Sequence, residues 1–217
     1  MNQSRDRLLF ARCRFVVSGA GPGSFPPDDR PEAAFAGRSN AGKSSALNAI
    51  TGRRALARTS KTPGRTRLIN FFALDETARL VDLPGYGFAQ VPEAVRQRWG
   101  ELIEGYMRTR HHLRGVVVIM DIRHPMKPFD RQLLDWCAAL SLPCHILLTK
   151  ADKLGHGACS RTLMSVQRML DQEAAGATVQ PFSARTGQGV DNARRTLALW
   201  LAPGDAVAAS GSAGAPA

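Results

Sequence analysis

The chain has 217 residues, 44% hydrophobic and 22% charged, with a formal net charge of +11. That size and mix predict an ordinary soluble protein with one principal core. No run approaches the 18 or more apolar residues of a membrane-spanning helix, and the polar start Met1 to Arg7 has no apolar segment behind it, so a cytoplasmic protein with no membrane partner is expected. The four cysteines (Cys13, Cys137, Cys144 and Cys159) stand far apart with no C-x-x-C pair, which argues against a zinc site.

In chain order, Arg14 to Val17 reads as an edge strand and residues 18–31, rich in Gly, Pro and Ser, as a loop. Residues 1–31 are therefore taken as an N-terminal extension. Ala33 to Ala36 can form a buried strand, and Ser45 to Ile50 the start of a helix. Between them Gly37-Arg38-Ser39-Asn40-Ala41-Gly42-Lys43-Ser44 fits G-x-x-x-x-G-K-[ST], so strand, loop and helix come in the order of a phosphate-binding loop. Its glycines let backbone N–H groups converge on phosphates, and the helix N-terminus adds a positive dipole end. Lys43 would reach the β- and γ-phosphates, and Ser44 a magnesium ion.

From Arg53 to Arg67 the sequence holds six basic residues and no acid (Arg53, Arg54, Arg58, Lys61, Arg65 and Arg67), a field suited to a polyanion such as RNA. A second basic group, Arg108, Arg110 and Arg114 with His111 and His112, follows a predicted helix. Further strands are predicted at Leu68 to Phe72, Ala78 to Asp82, Gly115 to Asp121, Cys144 to Thr149 and Thr178 to Phe182. Helices are predicted at Pro92 to Thr109, Phe129 to Leu140, Arg161 to Ala174 and Val190 to Leu201, with Trp99, Trp136 and Trp200 on apolar faces. This alternation predicts a mostly parallel sheet of about six strands with helices on both faces. From Ala202 an Ala/Gly/Ser/Pro tail is expected to be disordered, leaving 32–201 as the working domain and 202–217 outside it.

Three further motifs complete the chemistry. Asp82-Leu83-Pro84-Gly85 follows a strand, so Asp82 projects into the crevice where α/β sheets bind ligands and can hold magnesium, while the N–H of Gly85 faces the γ-phosphate. Thr149-Lys150-Ala151-Asp152 also follows a strand. The carboxylate of Asp152 can accept from both N1–H and the 2-amino group of guanine, whereas adenine presents a lone pair at N1. Lys150 can lie along the base plane and Thr149 can tie this loop to the phosphate loop. Phe182-Ser183-Ala184 ends the last strand, where a backbone N–H can meet the guanine O6.

These four motifs in order resemble the translation-factor class of GTPases. Within that class, Gly37 to Ser45, Lys61-Thr62-Pro63-Gly64-Arg65-Thr66, Asp82-Leu83-Pro84-Gly85-Tyr86-Gly87 and Asp121-Ile122-Arg123-His124 look like the EngB (YihA/YsxC) family. The resemblance implies a three-layer α/β P-loop GTPase domain that binds GTP and GDP with Mg²⁺. It implies a role in assembly of the large ribosomal subunit, with its rRNA as partner through the basic 53–67 stretch, and in normal cell division and septation. By the same resemblance Thr66 completes the magnesium shell with Ser44 and Asp82, Thr62 being the competing choice, and Gly64, Arg65, Thr66, Arg67 and Leu68 lie across the phosphates. A monomer is expected.

Tyr86 stands where many GTPases carry a water-orienting glutamine, so slow hydrolysis resting on Lys43, Gly85 and Asn40 is expected. Related GTPases with asparagine at the position of Asn40 use potassium, and K⁺ stimulation is expected on that ground. The other reading of Asn40 is a loop-shaping residue suited to unusual backbone angles. His124, Asp121 and Asp130 read as loop or cap residues. Two alternatives stay open: a P-loop ATPase or kinase, and an RNA-binding module whose nucleotide is structural.

Overall fold

The structure, a computed structural model, describes residues 3–57, 68–86, 93–173 and 176–202. Its elements are α1 (Gln3–Ala11), β1 (Arg14–Gly19), β2 (Glu32–Gly37), α2 (Lys43–Thr51), β3 (Ile69–Leu74), β4 (Ala78–Asp82), α3 (Glu93–Thr109), β5 (Leu113–Asp121), α4 (Pro128–Ala139), β6 (Cys144–Thr149), α5 (His156–Glu173), β7 (Ala177–Pro181) and α6 (Val190–Leu201). The edge strand and the six further strands expected from sequence are all present. They form one 7-stranded sheet in the order β1-β3-β4-β2-β5-β6-β7, in which β3 alone runs opposite to the other six strands. The tail expected after Ala202 lies outside the described residues.

Burial explains the sequence pattern. β2, β4 and β6 are buried at every position, as strands covered on both faces must be, and so their centres read as short apolar runs without alternation, with Glu32, Arg79, Asp82, His145 and Thr149 as buried polar residues at or near their ends. Alternate residues still serve opposite layers. Ala34 and Ala36 join Val81, Val116, Val118, Ile146 and Leu148 beneath α3, α4 and α5. Ala33 and Phe35 join Phe72, Leu80, Val117, Ile119 and Leu147 beneath α1, α2 and α6. Each buried Val, Leu, Ile or Phe contributes about 1.5–3 kcal/mol, so the two layers dominate the stability. Of the three tryptophans, Trp99 is buried, Trp136 stands edge-on to Phe129, and the Trp200 ring lies where a side chain on Gly115 would stand.

Helix α1 has no counterpart in the expected elements. Five of its nine residues are charged or polar (Gln3, Ser4, Arg5, Asp6 and Arg7), which hides it, and its docking rests on Phe10, fully buried against α2 and α6 together with Cys13 just beyond its end. Burial pushes the Cys13 thiol up to about 12 against the weaker pull of Arg53, which makes it inert at neutral pH. The first residues thus share the core and sheet of the rest. The loop between β1 and β2 is likewise fastened at the amino ends of the strands. Buried Glu32 accepts from the Tyr106 hydroxyl (2.8 Å) and Arg110 Nε (3.1 Å), Arg110 also holds the Pro26 carbonyl (3.1 Å), and Arg79 reaches Asp28.

Candidate functional site

The carboxyl ends of β2, β4, β5 and β6 converge on one side of the sheet, and every described motif residue sits there. Gly37 closes β2 against β5, where a Cβ would stand 2.8 Å from both Cβ and the carbonyl oxygen of Ile119. The chain then curls through two left-handed residues, Asn40 (φ 64°) and Gly42 (φ 103°), before α2 begins at Lys43 and Ala46 N–H closes its first turn on Gly42 O (2.8 Å). Asn40 therefore has a conformational reason to be asparagine, the non-glycine residue that tolerates this region best.

Lys43 points across the loop and forms an ion pair with Asp82, the last residue of β4, both side chains being largely buried. The second Asp82 oxygen faces Asn70 Nδ2 at 3.5 Å. Beyond Asp82 the chain runs along β2 and the loop: Leu83 N–H donates to Phe35 O (3.0 Å) and Ser39 N–H to Tyr86 O (2.7 Å). A side chain on Gly85 would bring its Cβ to 3.2 Å from Ser39 Oγ, so glycine keeps this backbone close to the loop. Among the described residues no group of three His, Cys, Asp or Glu could hold a metal alone. The oxygen set present, one buried carboxylate that already attracts the Lys43 cation and the hydroxyl of Ser44 on the first turn of α2, fits magnesium, which takes one or two protein oxygens and leaves the rest to phosphates and water.

At the other end, β6 delivers Thr149 to Asp152. The buried Thr149 hydroxyl bonds the Ala41 carbonyl of the phosphate loop and lies 3.0 Å from Met120 O. Lys150, itself left-handed (φ 59°), donates to Asn40 O at 2.6 Å and pairs with Asp121 at 2.9 Å. The Thr149–Asp152 loop and the phosphate loop are thus joined by two side chains. Asp152 receives the Ser183 hydroxyl on one oxygen (2.7 Å) and Arg185 Nε on the other (2.9 Å), which together hold its carboxyl below the ordinary range. Phe182 is fully buried, and its carbonyl accepts from Ala151 N–H (3.1 Å), which seats the loop. Ser183 N–H is committed to Gln188 O (3.0 Å), so Ala184 is the candidate donor to a base carbonyl.

Between these ends lies a cleft of about 990 Å³ lined by Gly42, Asn48, Arg54, Thr149, Asp152 and Arg185 among others. Gly64, Arg65, Thr66 and Arg67 fall outside the described residues, as does Thr62. Leu68, just before β3, is exposed. Tyr86 is buried, with its hydroxyl donated to Asp130 (2.8 Å), and burial drives its pKa upward, so it packs the core. Asp130 also caps α4 through Lys127 N–H (2.9 Å). His124 sits exposed in a turn, its N–H on Asp121 O (2.9 Å).

Three further residues contribute: Asp121, which belongs to a family motif but reads from sequence as a loop residue, and Arg185 and Asn48, which no motif announces. Burial pushes the Asp121 carboxyl up, but Arg123 and Lys150 outweigh it and keep it ionised, and that charge positions Lys150. Arg185 holds Asp152. Asn48 grips the backbone of Arg54 and Ala57 with its amide (3.3, 3.1 and 2.9 Å), forming a wall of the cleft from the start of the basic run. Each contact joins segments that are ordinary in sequence and meet only in the fold.

Residues 32–150 match the family described as 50S ribosome-binding GTPase. Proteins called probable GTP-binding protein EngB from Coxiella burnetii are 48% identical in strain RSA 493 / Nine Mile phase I and 50% identical in strain RSA 331 / Henzerling II. Each alignment covers 93% of this chain and 98% of the relative. Among solved structures, a probable GTP-binding protein EngB superposes with TM-score 0.63 at 21% identity, covering 78% of this chain and 98% of that one. Era bound to MgGDPNP and a segment of 16S ribosomal RNA superposes at 0.60 with 19% identity, covering 81% and 58%, a likeness of fold. A mostly parallel seven-stranded sheet with a phosphate loop at its carboxyl edge, and identity near one half along almost the whole chain, lead to one conclusion: this chain belongs to the EngB family of GTP-binding proteins and is built as a P-loop GTPase domain.

Proposed function

We propose that this chain is a guanine-nucleotide switch with slow intrinsic GTP hydrolysis, acting in assembly of the large ribosomal subunit in the cytoplasm and through it needed for normal cell division and septation. The observation that carries the nucleotide assignment is the state of Asp152. An ionised carboxylate has about four acceptor positions, of which Ser183 and Arg185 occupy two. Two remain, the number that guanine's N1–H and 2-amino group fill. Adenine offers no such pair, which disfavours an ATPase or kinase.

Ser44, Thr66 and Asp82 are the residues that hold magnesium in this reading, and the ion supplies charge neutralisation between the β- and γ-phosphates when bound. Lys43 exchanges Asp82 for phosphate oxygens, and Gly85 presents its N–H to the γ-phosphate. With Tyr86 committed to Asp130, no side chain at that position orients water, so intrinsic turnover is slow. Asn40, exposed at the mouth of the loop, is assigned a potassium ion that assists charge stabilisation. Turnover higher in KCl than in NaCl, and insensitive to the exchange in Asn40→Ala, is the expected result; equal rates in both salts refute it.

The ribosomal part is supported by the family description of residues 32–150 and by the basic run 53–67. Within that run Arg54 lines the cleft and Arg53 NH1 braces Cys13 O (2.9 Å), so the rRNA phosphates are assigned to Arg58, Lys61, Arg65 and Arg67. GTP orders this segment through Thr66 and hydrolysis releases it. Co-sedimentation with large-subunit precursors across a salt series, in GTP analogue, GDP or no nucleotide, tests the switch. Binding strongest with the analogue is expected; equal binding in all three states overturns it in favour of a binding module.

A further inference from the structure

We propose that α1 and the edge strand β1 form a second RNA-contact surface, in which Phe15 stacks on an unpaired base while arginines flanking it hold phosphates; this rests on the ribosomal-RNA reading above. In residues 3–19 four arginines, Arg5, Arg7, Arg12 and Arg14, are all exposed, and the one acid, Asp6, is buried. The helical spacing of Arg5, Leu8 and Arg12 sets them in line along the outer face of α1 and past its end, with Leu8 67% exposed between two guanidiniums. Arg53 lies against the same junction, its NH1 on Cys13 O.

Phe15 is the aromatic in this field. It sits on the outermost strand of the sheet, edge-on to Phe72 with ring centroids 5.9 Å apart, and keeps 53% of its surface exposed. Phe72 belongs to the layer under α1 and α2, so the Phe15 ring faces the side on which α1 and Arg53 stand. A bulge between Phe15 and Val17 leaves Val16 unpaired and also exposed. Arg14, beside Phe15, is ion-paired with exposed Glu76 (2.8 Å), so the phosphates are assigned to Arg5, Arg7 and Arg12. An open aromatic face near arginines on a helix with no exposed acid is the combination that single-stranded RNA recognition uses: stacking for the base, guanidinium for the backbone. A protein partner would favour a drier patch, whereas here Leu8 and Phe15 each have an arginine neighbour in sequence, Arg7 and Arg14.

The test uses the full chain and a labelled RNA of mixed sequence, about 12 nucleotides long, as single strand and as duplex. Phe15→Leu keeps apolar volume against Phe72 but removes the ring face, and Phe15→Trp restores one. Single-strand affinity is expected to fall roughly fivefold or more in Phe15→Leu, within the range for one stacked base, to recover in Phe15→Trp, and to leave the salt slope unchanged. Replacing Arg5, Arg7 and Arg12 together by Ala is expected to flatten the slope by about 2, at roughly 0.7 per phosphate contact on a single strand. GTP affinity and urea unfolding verify the fold of every variant. A wild-type chain that binds neither RNA overturns this surface and the ribosomal-RNA reading together. Wild-type binding that survives in Phe15→Leu and the arginine variant overturns this surface alone. Variants that bind the oligonucleotide normally but lose ribosomal particles overturn it in favour of a ribosomal-protein contact.

Discussion

Replacing Asp152 with Asn separates a guanine reader from any other nucleotide site. In the wild-type chain the carboxylate is fixed from behind by Ser183 at 2.7 Å and Arg185 at 2.9 Å, leaving one acceptor position per oxygen for the base. Each bond from a neutral donor to a carboxylate is worth about 1.5–3 kcal/mol, so the pair supplies about 3–6 kcal/mol of selective binding. Asparagine keeps one acceptor and turns the other position into a donor, setting N–H against guanine's amino group. GTP affinity should therefore fall by about 10² to 10⁴. Xanthine carries a carbonyl where guanine has that amino group, so XTP should bind the variant better than GTP does. Competition titrations of GTP, XTP and ATP at fixed magnesium, alongside thermal unfolding, read this directly. A folded variant that still prefers GTP to XTP would refute the assignment of Asp152 and, with it, the count of open acceptor positions.

Phe10→Ala should cost about 3–5 kcal/mol in urea unfolding, because the ring is fully buried among α2, α6 and the sheet; a loss under about 1 kcal/mol would mean that α1 does not dock. Tyr86→Phe should lower stability by about 1–3 kcal/mol by stripping Asp130 of a buried donor at 2.8 Å, with GTP turnover unchanged; a fall in turnover at full stability would return Tyr86 to the chemistry. The hydrogen bond from Arg79 holds Asp28 at about 2 against the ordinary 3.8. A depressed carboxylate adds stability that is present above its unfolded value and lost as pH falls through its folded one. Asp28→Asn should accordingly flatten the decline of the urea midpoint between about pH 4 and pH 2, and an unchanged acid limb would contradict this.

How far the sequence could be read varies with the range of the interaction concerned. The strand-loop-helix unit from Ala33 to Ile50 is local, and its motif places Gly37, Gly42 and Lys43 because backbone geometry demands those residues. The same holds for β4 with Asp82 and β6 with Thr149, whose buried runs end where the ligand crevice begins. Helix α1 was hidden because nothing in QSRDRLLFA is strongly amphipathic; Phe10 becomes core only when α6, some 180 residues later, arrives beside it. Arg185 was silent, since an Arg after Ser-Ala acquires its role only through a contact across 33 residues, and Asp121, although part of a family motif, reads as a loop residue because its partner Lys150 lies 29 residues away. The basic run was legible as charge, but charge alone did not tell that Arg54 faces the cleft and Arg53 the N-terminal junction.

Asn70 carries a consequence for how the site and the sheet edge communicate. Asp82 can only accept, so the Asn70 amide must turn its NH₂ toward Asp82 (3.5 Å) and its oxygen toward Ser18, whose hydroxyl donates to it at 2.6 Å. The amide is thereby polarised in one sense, from the outermost strand inward to the carboxylate beside the phosphate loop. Aspartate at position 70 would set two carboxylates face to face, and leucine would orphan Ser18. A single planar group thus links the sheet's rim to the carboxylate beside the phosphate loop.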